Sequence, residues 1–509
     1  MDLSRRSFLK RCGQLAVLTA AGRIGLDVFA PLGQSARAST LAARALAGGG
    51  TLPVGTPILV LIDLQGGNDA VNMLINPNDP WYYDTVQGHG NIAVGESAIL
   101  PLSGSPLGLH TSLAWTANRW HSVGDLAFVE GSGENVVNEF SHFAAMNYRN
   151  LADFSGSETR GWLGRYNDLA APGSPFASVS LNGVHPALIG EVTPVLTVTD
   201  VASFAFDVDW RWLPGFLGPW QSMGSGGSVD GTMLAAAQQN IADTFAAQQT
   251  VFQADNTTYN SQFSSPLGQQ MAQAAMLIQA GFASQTYVAT FSGFDTHGSE
   301  DYQQTDLFTQ LDSALGSFFA LIDAGPRAGD VFVLVTSEFG RQQTANASAG
   351  SDHGQAGVNV LLGGGVAGGI YGQAPLTDPA HRLDDALIPT VDFRSVYATV
   401  LNRLSGESNM TAGILKANFA DLGIFSSSAP PPPTTTTTSV ATTTTTTSVA
   451  TTTTTSTTRP TTTTTTKPRP TTTTTTKPRP TTTTTVKRRP TTTTTVKPRP
   501  TTTTTIKRK

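Results

Sequence analysis

The sequence predicts an α/β protein in which a mostly parallel sheet is sandwiched by helices, interrupted by loop insertions and followed by a disordered C-terminal tail. Three observations carry that expectation. Short apolar runs alternate with helix-length patterns between residues 56 and 425, an order that builds a parallel sheet covered on both faces. Three of the apolar runs stop at a carboxylate: Asp63 after Pro57 to Ile62, Asp295 after Gln285 to Phe294, and Glu338 after Val331 to Ser337. Beyond Ser426 the chain turns to proline, threonine runs and decapeptides such as Thr461 to Pro470, with almost no large apolar residue from which to build a core.

Taken in order, strands are expected over Ile58 to Leu64, Leu126 to Glu130, Thr286 to Phe291, Val331 to Thr336 and Val358 to Leu362. Helices are expected over Gly231 to Ala254, Ser264 to Gly281, Asp306 to Ala324 and Asp392 to Leu404, the last with Asp392 as N-cap. Trp81 to Gly108 and Gly173 to Gly226 are rich in Gly, Pro and Ser and read as insertions or lids. The Gly363 to Gly369 run lies between strands and lacks the helix and lysine of a phosphate loop, so it reads as a turn.

Residues 1–38 read as an export signal. Ser4-Arg5-Arg6-Ser7-Phe8-Leu9-Lys10 has the twin-arginine pattern, followed by the weakly apolar Leu15 to Ala21 and the small-residue site Ala36-Arg37-Ala38. An uncleaved anchor is the alternative, but Arg23 and Asp27 interrupt the apolar stretch far short of the roughly 20 residues a bilayer span needs. The implied partner is the twin-arginine translocase, and the implied location is periplasmic, wall-associated or extracellular. Cys12, the only cysteine, lies inside the signal. The mature chain therefore has no disulfide, no thiolate ligand and no cysteine nucleophile.

The domain plan is a signal (1–38), a linker (39–55), one α/β domain (56–425) and a tail (426–509). Of 31 Lys and Arg, 13 lie in the tail, where there are no acids. Residues 39–425 hold 12 basic against 34 acidic side chains, a net charge of −22. Each Lys-Pro-Arg-Pro unit is biased toward polyproline II. Two readings of the tail are open, attachment to anionic wall or envelope polymers and a mere spacer. Nucleic acid is a poor partner, because no aromatic side chains interleave with the charges and no folded reading module is present.

The chemistry concentrates where strands end. In open α/β sheets ligands sit outside the carboxyl ends of strands, so the three carboxylates are expected to converge. Only eight histidines occur in the chain, and two of them sit beside aspartates, in Phe294-Asp295-Thr296-His297-Gly298 and Asp352-His353-Gly354. Carboxylate oxygen and imidazole nitrogen suit zinc or manganese. Calcium, held by the acids alone, is a structural alternative.

Together with Leu61 to Asp69, Ser141-His142-Phe143, Gly161-Trp162-Leu163-Gly164-Arg165 and Ser337-Glu338-Phe339-Gly340-Arg341, these motifs resemble the bacterial family called domain of unknown function 1501. That family is similar to the alkaline phosphatase superfamily, which includes sulfatases and cofactor-independent phosphoglycerate mutase. The resemblance implies an alkaline phosphatase-like fold and one or two divalent ions beside a nucleophilic hydroxyl. It assigns Asp63, Asp295, His297, Glu338, Asp352 and His353 to metal, Ser141 to the nucleophile, His142 to acid or ligand, and Arg165 or Arg341 to the equatorial oxygens of the ester. Two departures are visible: the superfamily's Asp-His pair is Glu338-Phe339 here, and His297 follows its aspartate at a shorter spacing. For Ser141 an N-cap role, and for both arginines structural ion pairs, remain open alternatives. The function implied is metal-dependent hydrolysis or transfer of phosphate or sulfate esters. The alternative is a non-catalytic envelope scaffold with a degenerate metal site.

Overall fold

Residues 52–134, 140–174, 176–199, 263–406 and 408–425 are described by the computed structural model. The export signal, residues 39–51 of the linker, the helix expected over Gly231 to Ala254, most of the second insertion and the tail lie outside the described residues.

Fourteen strands are described: β1 (Ile58–Gln65), β2 (Leu74–Ile75), β3 (Leu100–Pro101), β4 (Gly108–Leu109), β5 (Leu126–Gly133), β6 (Ser178–Ser180), β7 (Leu196–Thr197), β8 (Thr286–Ser292), β9 (Val331–Ser337), β10 (Arg341–Ala345), β11 (Ser351–His353), β12 (Gly357–Gly363), β13 (Gly369–Gly372) and β14 (Val391–Asp392). The central sheet runs β13-β5-β12-β9-β1-β8-β6-β7, with β14 added beside β5. β1 pairs in parallel with β8 and β9, as do β6 with β8 and β13 with β5. Among the described strands of this sheet only β12 runs against its neighbours, β5 and β9. It follows β9 through the β10–β11 hairpin rather than through a crossover helix, so it returns in the opposite direction.

The continuous apolar run of β1 is explained by burial on both faces. Ile58, Val60, Ile62 and Leu64 pack with the helices Ala114–Ser122, Pro266–Gln279 and Glu300–Ile322. Leu59 and Leu61 face the other way, onto Trp162–Ala170, Phe393–Ser405 and Ser408–Leu415. Each fully buried Leu or Ile contributes roughly 1.5–3 kcal/mol, and together they fix the register that sets the strand ends.

The helix expected from Asp306 begins earlier, at Glu300, and ends at Ile322. Glu300 and Asp301 occupy its first turn, where carboxylates complement the helix dipole. Asp392 caps the helix Phe393–Ser405 by accepting from the Arg394 N–H, as its position predicts. The first insertion is not bare loop: β4 pairs with both β2 and β3 in a small antiparallel sheet beside two 3-10 turns. Among the described residues no helix is long and apolar enough to cross a membrane.

Candidate metal centre

β1 lies between β8 and β9, with Asp63 opposite Thr290 on one side and Thr336 on the other. The segments leaving these three strands therefore meet at one edge. They are packed backbone to backbone there. Gly66 has φ +123°, and a Cβ on it would stand 2.2 Å from the Asp295 amide nitrogen. Glycine is required at that point. Its N–H donates to Glu338 Oε1 at 2.8 Å.

Three histidines converge on this edge from different elements. His142 opens the helix His142–Leu151, His297 follows β8, and His353 ends β11 opposite Arg341. Each has its Nδ1 held by an acceptor: Glu338 Oε1 at 2.8 Å for His142, Asp352 Oδ1 at 2.8 Å for His297, and the Phe140 carbonyl at 2.6 Å for His353. An imidazole that donates through Nδ1 presents a bare lone pair at Nε2. All three Nε2 atoms point inward. His353 Nε2 lies 3.0 Å from that of His142 and 2.8 Å from that of His297. Asp295 Oδ1 stands 3.3, 3.1 and 3.2 Å from His142, His297 and His353.

Neutral imidazoles facing one another lone pair to lone pair, with a carboxylate beside them, repel unless a cation lies between. A metal bonded at 2.0–2.1 Å to ligands at tetrahedral corners separates them by roughly 3.3 Å, close to the spacings seen. His142, Asp295 and His353 form a three-ligand group able to hold a metal ion, and His297 adjoins it through Asp295 and His353. The donor set fits zinc or manganese. It fits calcium badly, since that ion takes oxygen ligands.

Burial works to raise the Asp295 carboxyl, but the hydrogen bond it accepts from Arg341, its contact with His353 and the charges of Arg341 and His142 outweigh it and hold it at about 2. His142 is raised, first by its hydrogen bond to Glu338. His353 is lowered, first by burial, with the charges of His142 and Arg341 adding to the effect.

Several residues expected at the metal or the ester stand elsewhere. Glu338 is 2% exposed and lies behind His142, its Oε1 taking His142 Nδ1 and the Gly66 N–H and its Oε2 the Ser337 hydroxyl. The chain turns after β9 so that this carboxylate orients a ligand instead of being one. Asp352 likewise stands behind His297, fixed by Asn346. Asp63 is outside the group: its Oδ2 accepts from Gln65 Nε2 and His185 Nε2. Arg165 is buried with its guanidinium on the carbonyls of Leu151, Arg160 and Ile414. Arg341, with no exposed surface, binds the carbonyls of Gly66, Gly67, Phe294 and Ser351 together with Asp295 Oδ1. Both guanidinia are taken up by oxygens of the protein itself. Ser141 takes the N-cap position of the helix that carries His142 and is exposed.

What the fold and the site define is a three-layer α/β protein with a histidine–aspartate group of metal-ligating geometry at the carboxyl edge of its sheet. Residues 228–413, more than a third of the chain, match the family described as Protein of unknown function (DUF1501), in keeping with the resemblance carried by the motifs. No curated protein sequence matches. Solved structures with similarity include the PsFucS1 sulfatase from Pseudoalteromonas sp., at 12% identity and a TM-score of 0.32 over 77% of each chain. Others are Ps i-CgsB with a neocarrahexaose, at 10% identity and a TM-score of 0.31 over 72% of this chain and 75% of that one, and the alkaline phosphatase of the Antarctic bacterium TAB5, at 11% identity and a TM-score of 0.27 over 71% and 99%.

Proposed function

We propose that this protein is an exported, metal-dependent hydrolase or transferase of phosphate or sulfate esters, holding one ion through His142, His353, Asp295 and His297. The observation that carries the reading is the set of three imidazoles donating through Nδ1 and meeting at Nε2 beside Asp295. A bound divalent ion supplies Lewis-acid polarisation of an ester oxygen and lowers the pKa of a nearby hydroxyl. The chain's own groups do the rest. Glu338, Asp352 and the Phe140 carbonyl fix the three rings. Arg341 keeps Asp295 ionised and in place. Ser141 is the nucleophile, at a helix N-terminus whose amides and dipole favour an anion.

Elemental analysis of the folded, exported protein tests this. Near-stoichiometric zinc or manganese is expected, lost in Asp295→Ala and His353→Ala, together with activity on a panel of phosphomonoesters, phosphodiesters and sulfate esters that Ser141→Ala abolishes. Protein that folds and is exported without metal overturns it.

The burial of Arg165 and Arg341 among protein oxygens favours a second reading, an envelope-associated scaffold with a degenerate site. In both readings the twin-arginine translocase exports the chain and the basic tail attaches it to anionic wall or envelope polymers, since clustered cations bind polyanions in a salt-dependent way. Stoichiometric metal with no turnover on any ester of the panel selects the scaffold.

A further inference from the structure

A cavity opens on the face of the sheet that carries Leu61, beneath the carboxyl ends of β1 and β9. It is lined by Asp63, Arg149, Trp162, His185, Thr336 and Tyr397 among others, and it is narrow and open to solvent on one side. Arg149 is the group that requires explanation. It is 6% exposed, yet its Nε and Nη1 have no hydrogen-bond partner. Its guanidinium carbon lies 4.2 Å from the centroid of the Phe393 ring.

A buried guanidinium with two idle N–H groups is unfavourable unless an acceptor fills the space in front of them. The remaining walls permit an anion. Asp63 would repel one, but its Oδ2 is turned to the N–H groups of Gln65 and His185. His185 is fixed as the Nε2–H tautomer because its Nδ1 accepts from the Ala187 amide, so its hydrogen points at Asp63. Trp162 and Tyr397, stacked with centroids 4.2 Å apart, form a rigid apolar wall that keeps bulk water from competing. Arg149 also lies seven residues after His142 on one helix, hence on the same face and about 10 Å along the axis. The cavity and the metal centre are therefore distinct sites along one helix.

We infer that this cavity binds a small oxyanion, the phosphate, sulfate or carboxylate group of a ligand, through Arg149. The inference stands apart from the metal reading. Calorimetric titration of the full exported protein with sodium phosphate, sulfate and acetate at constant ionic strength, with chloride as reference, tests it and separates the three sources. Saturable binding of at least one of them above the chloride reference is expected. Arg149→Gln is expected to weaken it about tenfold to a hundredfold, the range for lost charge-assisted hydrogen bonds. Asp63→Asn removes an opposing charge and is expected to tighten it several-fold. His353→Ala, which strips the metal centre, is expected to leave it in place. No binding above chloride overturns the inference. So does equal affinity in Arg149→Gln, or loss of binding with the metal in His353→Ala, which assigns the anion to the metal centre. If Arg149→Gln does not fold, Asp63→Asn decides, and an unchanged affinity there overturns the proposal.

Discussion

At the scale of single residues the proposed metal centre depends on groups that would not themselves ligate. Glu338 joins His142 Nδ1 to the Gly66 amide, so it sets both a ring orientation and the path of the β1 exit. Partners that hold a ligand histidine in this way typically account for 10–100-fold in metal affinity. Glu338→Gln is accordingly expected to weaken zinc binding by about that factor while leaving the protein folded, and competition with a chelator of known affinity measures it. An unchanged affinity would remove Glu338 from the centre. Gly66 is constrained differently. With φ +123° and the Asp295 amide 2.2 Å from where a Cβ would sit, Gly66→Ala combines backbone strain with a clash against main chain that has no freedom to yield. A loss on the order of 3 kcal/mol is expected in urea unfolding.

At the scale of elements, helices borrow their caps from one another. The helix Ala114–Ser122 starts after Leu113, which offers no side-chain cap. Its first-turn amides at Trp115 and Thr116 are instead taken by the two carboxylate oxygens of Asp312, at 2.8 Å each, from the middle of the helix Glu300–Ile322. Asp312 also accepts from the Thr116 hydroxyl. Asp312→Ala removes an N-cap and a tertiary tie in one change, so a cost of about 1–3 kcal/mol is expected. A loss below a few tenths in chemical denaturation would show the tie to be decorative. The helix His142–Leu151 carries residues of both proposed sites, His142 at its first turn and Arg149 two turns on.

At the scale of the whole molecule, charge and burial set the response to pH and salt. Burial pushes Glu130, on β5, from the usual 4.5 up to about 7. The folded state then holds a proton that the unfolded state has released between those values. Stability is therefore fully present below about pH 4.5, falls as pH rises toward 7, and is flat above. Glu130→Gln is expected to remove that fall and to exceed the natural protein in stability at pH 8 by up to about 3 kcal/mol. Parallel pH profiles that merely shift would contradict it. The opposite charges of residues 39–425 and the tail, −22 against 13 basic residues without an acid, predict retention on an anionic polymer that declines with salt. Removing residues 426–509 is expected to abolish that retention without altering metal content.

The sequence by itself determined the strand and helix alternation, the two-faced burial of β1, the exits marked by Asp295 and Glu338, and the aspartate–histidine motifs at 295–297 and 352–353, because periodicity, caps and local composition are short-range properties. It also contained the seven-residue interval from His142 to Arg149, although nothing local singled Arg149 out. Tertiary structure alone decided which donors face inward. Asp63, Glu338, Asp352 and the imidazoles are equivalent as ligand types on paper. Their roles separate only because the β10–β11 hairpin swings His353 over the sheet edge, and because each Nδ1 finds an acceptor brought from a distant part of the chain. Arg165 and Arg341 resemble anion contacts in sequence. They became internal ties because buried carbonyls at crowded strand exits needed donors more than the solvent-facing edge did.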